Sequence, residues 1–226
     1  MVIVDSRRAL LSVAANSIGG TFLLSNEQLE SNPEDLSRMI CNYTPKAFRL
    51  AVATAGCFLY RGENIPDRVT LLDPEPDLLV PGTYDDPAAP EYFRCLETRL
   101  KRSKTRALPS TGHIATSDEA EASQWGEAVS VWPLGDTLSY VWPRQDIVFF
   151  PCTTKCPLDE IVIDRELIVA LQQGHEVLFA SAFDSGRKSS LPTSLAQGQT
   201  SAFLAVPRAS NDELKEIVKE PQFTLG

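Results

Sequence analysis

The chain has 226 residues, 43% of them hydrophobic, which is enough for one sizeable core and typical of a soluble globular protein. Thirty acidic against 21 basic residues give a formal net charge of -9, which excludes a protein gripping nucleic acid or an anionic membrane across a broad surface but leaves room for a local basic site. No apolar run approaches the roughly 18 residues of a membrane span, and MVIVDSRRALLSVAANSIGG carries its charges after the first apolar residues, which makes a poor secretory signal. We therefore expect no membrane association and an intracellular, cytoplasmic location.

Residues 1–56 are expected to form a helical lead-in. SRRALLSVAANSI has near-helical apolar spacing, PEDLSRMICNY starts on a proline suited to a first turn, and PKAFRLAVATAG repeats that device and stops on glycine. CFLYRGE reads as a short aromatic-rich strand ending in Arg61 and Gly62. ENIPDRVTLLDPEPDLLVPGTYDDPAAPE, rich in proline and poor in periodicity, reads as a long loop.

YFRCLETRLKRSKTR then concentrates basic residues, with a helix expected in its first half. The run from Lys101 to Arg106 is either a solvated face or a phosphate-facing patch. GHIAT is a strand, and SDEAEASQWG a short helix with Ser117 at its cap and two acids in its first turn. EAVSVWP, TLSYVWP and DIVFFP, each closed by proline, are strands of a compact antiparallel sheet.

IDRELIVALQQG gives an aspartate cap, a helix and a terminating Gly174, before HEVLFASAF returns to strand. After the polar stretch 184–199, TSAFLAVPRA is one more strand, and SNDELKEIVKE a helix opened by a capping box of Ser210 and Glu213. Helices followed by many short strands make this α+β. The expected division is a lead-in over 1–56, a core over 57–183 and a C-terminal extension over 184–226 packed on the same domain.

The five cysteines, Cys41, Cys57, Cys95, Cys152 and Cys156, are odd in number and scattered, as reduced thiols inside a cell would be. The closest pair, in PCTTKCP, would need two further ligands to hold zinc, and the chain offers only His113 and His175. No metal is expected. There is no GxGxxG, no GxxxxGK[ST] and no GxSxG, so the dinucleotide, P-loop and nucleophile-elbow chemistries lack their turns.

Three pieces in one order remain: a strand ending in arginine (LYRGE), a strand entering a small-hydroxyl turn and a helix (HIATSDEAEASQWG), and a strand opening on glutamate (HEVLFA). In this order the chain resembles the mono-ADP-ribosyltransferase fold, in the branch marked by an arginine, a Ser-Thr-Ser motif and a glutamate. The resemblance runs from about Phe58 to Phe183, and the stretch from RSKTR through DIVFFP is similar to transferase-like proteins carried by phages. It implies a split antiparallel sheet behind N-terminal helices, and NAD as substrate with no metal. It also implies transfer of ADP-ribose to an unidentified protein or nucleic-acid acceptor.

Carried over, Glu176 would be the catalytic carboxylate beside the ribose, favouring an oxocarbenium-like state as in glycoside hydrolysis. Arg61, with Gly62, would hold the pyrophosphate or ribose through its forked guanidinium. Thr116 and Ser117 would brace Glu176 and the ribose. His175 would be a partner of Glu176 or a surface residue, and Trp125, Trp132 and Trp142 either stack on the ligand or belong to the core. Each also has a plainer reading: Arg61 as a strand end, Thr116 and Ser117 as helix caps.

Two positions depart from the pattern. Ala115 stands where the first serine would be, and Gly174 stands two residues before Glu176, where arginine-modifying members carry an acid or amide. An arginine acceptor is thereby disfavoured. The competing expectations are a catalytically weak or inactive relative that binds NAD or a protein, and a structural module, for example of a virion.

Overall fold

The computed structural model describes residues 33–64, 68–72, 78–79, 89–144, 161–183 and 202–218. Two helices lead, α1 (Pro33–Tyr43) and α2 (Lys46–Ala55), and α2 stops where Gly56 turns left-handed at φ 70° and its N–H reaches Val52 O. Strands β1 (Tyr60–Glu63) and β2 (Thr70–Leu72) precede α3 (Ala89–Leu100). Then come β3 (His113–Thr116), α4 (Glu119–Ala122), β4 (Glu127–Pro133), β5 (Thr137–Pro143), β6 (Ile161–Ile163), α5 (Leu167–Gln173), β7 (Glu176–Ala182), β8 (Phe203–Val206) and α6 (Arg208–Val218). SRRALLSVAANSI, DIVFFP and the Cys152–Cys156 stretch lie outside the described residues.

The class is α+β, with one eight-stranded antiparallel sheet in the order β2-β8-β4-β1-β3-β7-β5-β6. Strands from the two ends of the core therefore interleave: β8 pairs with both β2 and β4. Residues 202–218 are built into the sheet and its cover, and α6 locks on through the hydrogen bond from Ser130 Oγ to Asn211 Oδ1 at 2.6 Å. From the lead-in, α2 sets Phe48 edge-on against the buried Trp132, ring centres 5.9 Å apart.

The sheet is curled. His113 on β3 and Phe203 on β8 have ring centres 5.4 Å apart, and both meet Phe179 on β7. Three strand spacings of a flat sheet would hold β3 and β8 about 14 Å apart. The face carrying His113, Phe179 and Phe203 is thus concave and packed with aromatic side chains. Directly opposed residues share a face and successive residues alternate, so Ile114, Leu178 and Ala180 lie on the convex face, where they form a second cluster with Phe93, Leu96 and Leu100 of α3.

Four expectations need correction. The proline-rich stretch expected as loop contains β2, and the segment before α5 contains β6; both are three-residue edge strands, too short for period-two alternation to register. Asp164 does not cap α5. It takes a left-handed conformation at φ 49° and its Oδ1 accepts from Tyr140 N at 2.7 Å, so it fastens the β6–α5 corner to β5. Helix α6 begins at Arg208, which puts Ser210 inside the helix, its N–H donating to Pro207 O at 3.0 Å, in place of a capping box. Finally, the cap of α4 is Asp118, one residue beyond the expected Ser117, with its carboxylate accepting from Ala120 N and Glu121 N.

Candidate functional site

The central strands β1, β3 and β7 carry the arginine, the small-hydroxyl turn and the glutamate, and they are neighbours in that order. Their registers align one row of side chains: Ser130 opposite Tyr60, Tyr60 opposite Thr116, and Thr116 opposite Glu176. All four are polar and all are buried, at 0%, 6%, 2% and 4% exposure respectively. A carboxylate buried to this degree in a sheet is uncommon unless it is engaged by partners. This row lies at the sheet end where β1 starts, β3 stops and β7 starts.

An open cleft of ≈ 560 Å³ adjoins that end. Its walls are the end of α2 with Cys57, the turn from Ser117 into α4, and the end of α5 through Gly174. The turn is tightly built. Thr116 Oγ1 accepts from Asp118 N at 3.1 Å and lies 3.1 Å from Glu121 Oε2 and 3.4 Å from Gly174 O. Ser117 Oγ donates to Ala170 O at 3.4 Å, so both hydroxyl residues tie the β3–α4 turn to α5. Gly174 caps α5 at φ 77°, a left-handed stop whose N–H, like that of His175, returns to Ala170 O.

Among the described residues lining the cleft there are two acids, Asp118 and Glu119, and no lysine or arginine. Two helices, α2 and α5, end there, and each adds the partial negative charge of a helix C-terminus. The cap and first turn of α4 line it too, and that helix N-terminus carries the opposite partial charge. Glu119 is paired with Arg208 at 3.2 Å.

The remaining candidates fall elsewhere. Arg61 is opposite Val129 and one residue on from Tyr60, which puts it on the concave face, away from Thr116 and Glu176. There its Nη1 donates to Ile114 O at 3.1 Å and its Nε pairs with Glu63, so it fastens β1 to β3. Its charge adds to burial in holding the His113 imidazole down to about 3, with burial the larger cause. Gly62 lies beneath the turn after α4, where a side chain would meet Ala122 O and the backbone of Trp125 and Gly126.

Trp125 is exposed, while Trp132 and Trp142 are core residues. His175 stacks on Trp142, ring centres 4.9 Å apart, and its Nε2 lies 3.1 Å from Gln173 Oε1. The basic run after α3 is solvent-facing, with Lys101 joined to Glu97 at 2.6 Å.

Sequence reasoning missed Tyr60, Ser130 and Asn211. Strand register brings Tyr60 and Ser130 into the row of Thr116 and Glu176, and α6 adds Asn211 through its hydrogen bond from Ser130. Cys41, Cys57 and Cys95 are free thiols. No helix among the described residues is long and apolar enough to cross a membrane, and no group of three or more His, Cys, Asp or Glu among them is arranged to hold a metal ion. Compared with protein-family models, curated proteins and solved structures, the chain matches none.

Proposed function

We propose that this chain is an NAD-dependent ADP-ribosyltransferase that cleaves the nicotinamide–ribose bond, with Glu176 as its carboxylate. The observation that carries the reading is the adjacency of β1, β3 and β7, which sets Thr116 opposite Glu176 although they are far apart in the chain. The carboxylate of Asp118 in the cleft beside them suits the positively charged nicotinamide-ribosyl end of NAD.

In the reaction, the bond between ribose C1′ and the nicotinamide nitrogen breaks with its electron pair going to the nitrogen, which neutralises the pyridinium ring. Positive charge builds at C1′, and a fixed carboxylate beside it lowers the barrier. Water or an acceptor nucleophile then bonds to C1′ and releases a proton. Thr116 and Ser117 act by holding α4 and α5 about the cleft. Among the described residues the lining offers no cation for the pyrophosphate, so on this reading the phosphates lie outside the cleft.

A second reading, a non-catalytic relative that binds NAD, is favoured by Arg61 lying on the opposite face and by Ala115 in place of the first serine. The two are separated by following nicotinamide release from NAD with wild type and Glu176→Gln. The transferase reading expects release from wild type and at least about a hundred-fold less from the variant, on the order of 2.7 kcal/mol of transition-state stabilisation. Equal release from both, or none from either, removes Glu176 from catalysis. Thermal stabilisation by NAD without release selects the second reading.

A further inference from the structure

Six of the chain's basic residues fall between Arg94 and Arg106, against one acid, Glu97. Helix α3 turns Phe93, Leu96 and Leu100 onto the convex face of the sheet, so Arg94, Thr98 and Arg102 form an exposed stripe along its outer side, about 12 Å long. A 3₁₀ turn, Lys101–Ser103, prolongs the helix, and exposed Lys104 and Arg106 follow it.

Nearby acids do not neutralise this tip. Glu97 is taken up by Lys101 and by Ser110 N, and Arg94, Arg102 and Lys104 make no ion pair among the described residues. Arg106 Nη1 donates to a neutral hydroxyl, Thr137 Oγ1, at 3.3 Å. The partial negative charge of a helix C-terminus accounts for Arg99 and Lys101, but it fades within the last turn, so Arg94 lies too early and Arg106 too late to serve it. Lys104 holds a left-handed φ of 60°, where a side chain is disfavoured and glycine would fit freely, so the turn's conformation gives no reason for a lysine.

The tip is also remote from the cleft. Thr137, which Arg106 meets, is opposite Ala182 at the end of β7, whereas the cleft reaches Gly174, before β7 starts. The length of that strand separates them by about 20 Å. Among the described residues the exposed large apolar side chains are Leu50 and Trp125, neither of them on α3 or the turn after it. The tip thus has neither an aromatic platform for unstacked bases nor an apolar wedge for a bilayer. Its cations suit a regular row of phosphates.

We propose that this tip docks the phosphate backbone of a double-stranded nucleic acid without reading its sequence; the proposal goes beyond the transferase reading and does not depend on it. The test titrates a labelled DNA duplex of mixed sequence with the full chain between about 50 and about 200 mM salt. Wild type should bind with Kd on the order of 10⁻⁴–10⁻⁶ M, and log K should fall against log salt with a slope of about −3 to −4, the share of four cations. Arg94→Gln, Arg102→Gln and Lys104→Gln combined should weaken binding at least about ten-fold and bring the slope to about −1. Lys46→Gln, Arg144→Gln and Lys215→Gln combined, which change the net charge equally on other surfaces, should bind like wild type. Lys104→Gly alone should weaken binding about two-fold or more and leave the thermal midpoint at or above wild type, which separates the charge from the turn. The proposal is overturned by a wild type that does not bind the duplex, or by equal loss in the two triple variants. Equally tight binding of wild type to single-stranded DNA, or to phosphatidylcholine vesicles holding about one-third phosphatidylserine, overturns it as well.

Discussion

Thr116 stands directly opposite Glu176 across the β3–β7 register, and its hydroxyl joins the turn that opens α4 to the turn that closes α5. Thr116→Val keeps the side-chain shape but leaves the Asp118 N–H without its acceptor and removes the hydroxyl proton shared between Glu121 Oε2 and Gly174 O. The expected loss is about 1–3 kcal/mol, read as a fall in thermal midpoint of about 2–4 °C per kcal/mol for a chain of this size. Thr116→Ser, which restores the hydroxyl, should recover most of it. A valine variant as stable as wild type would show that the hydroxyl does not hold these turns.

Gly62 and Gly174 are both glycines for local reasons, and the reasons differ. At Gly62 a methyl group would come 2.8 Å from both Gly126 N and Trp125 C, in backbone that cannot retreat without moving α4. Gly62→Ala should therefore cost at least about 2 kcal/mol by overpacking. At Gly174 nothing lies within 4 Å, and only the φ of 77° resists a side chain. Gly174→Ala should cost about 1 kcal/mol from backbone strain. Denaturant unfolding of the two variants checks the ranking, and a reversed order would contradict the packing described at Gly62.

His113 makes the fold acid-sensitive in a defined window. Burial first, and the Arg61 charge second, lower its pKa from 6.5 to about 3, so between those values the unfolded chain takes up a proton that the folded chain refuses. Stability is present above pH 6.5 and declines toward pH 3, by up to about 1.4 kcal/mol per pH unit. His113→Leu should flatten this limb. Unfolding free energies of both proteins between pH 6.5 and 4.5 provide the check, and parallel slopes would mean that His113 does not titrate in this way.

Glu97 contributes with the opposite partner set. Burial by itself would raise its pKa, but the Lys101 ammonium and the Ser110 N–H, 2.9 Å from Oε2, outweigh it and hold the carboxyl below its ordinary value. A depressed carboxyl stabilises the fold above its unfolded pKa and loses that contribution as pH falls through the folded one. Lys101 is 60% exposed in its side chain, so solvent screens most of the ion pair, and the Ser110 bond dominates. Glu97→Gln should cost roughly 1 kcal/mol at pH 7, and the gap should close in acid. A gap that is the same at pH 3 and pH 7 would refute the assignment.

Much of the fold is readable in the chain. Pro33 and Gly56 bracket the leading helices, and HIAT, EAVSVWP, TLSYVWP and EVLFASA all carry the apolar pattern of strands, two of them closed by proline. The three-residue strands β2 and β6 are not, because pairing partners make them strands, and those partners lie in other parts of the chain. The site is legible to the same extent. Glu176 and Thr116 stand out as polar residues at strand ends, but which β1 side chain joins them depends on one register pair, Tyr60 with Thr116. A shift of one residue would exchange Tyr60 for Arg61, and no local property of LYRGE distinguishes the two.

The placement of β8 also constrains how the protein is made. Its four residues, Phe203–Val206, fill the gap between β2 and β4, which have emerged from the ribosome long before. Until that strand is synthesised, β4 keeps one row of backbone groups unpaired and β2 has no neighbour in the sheet. The nascent chain thus carries an open β edge during much of its synthesis, with the exposure to mispairing that such edges bring. A chain cut after residue 200 would retain Arg61, Thr116 and Glu176 and still lack the strand that completes their sheet.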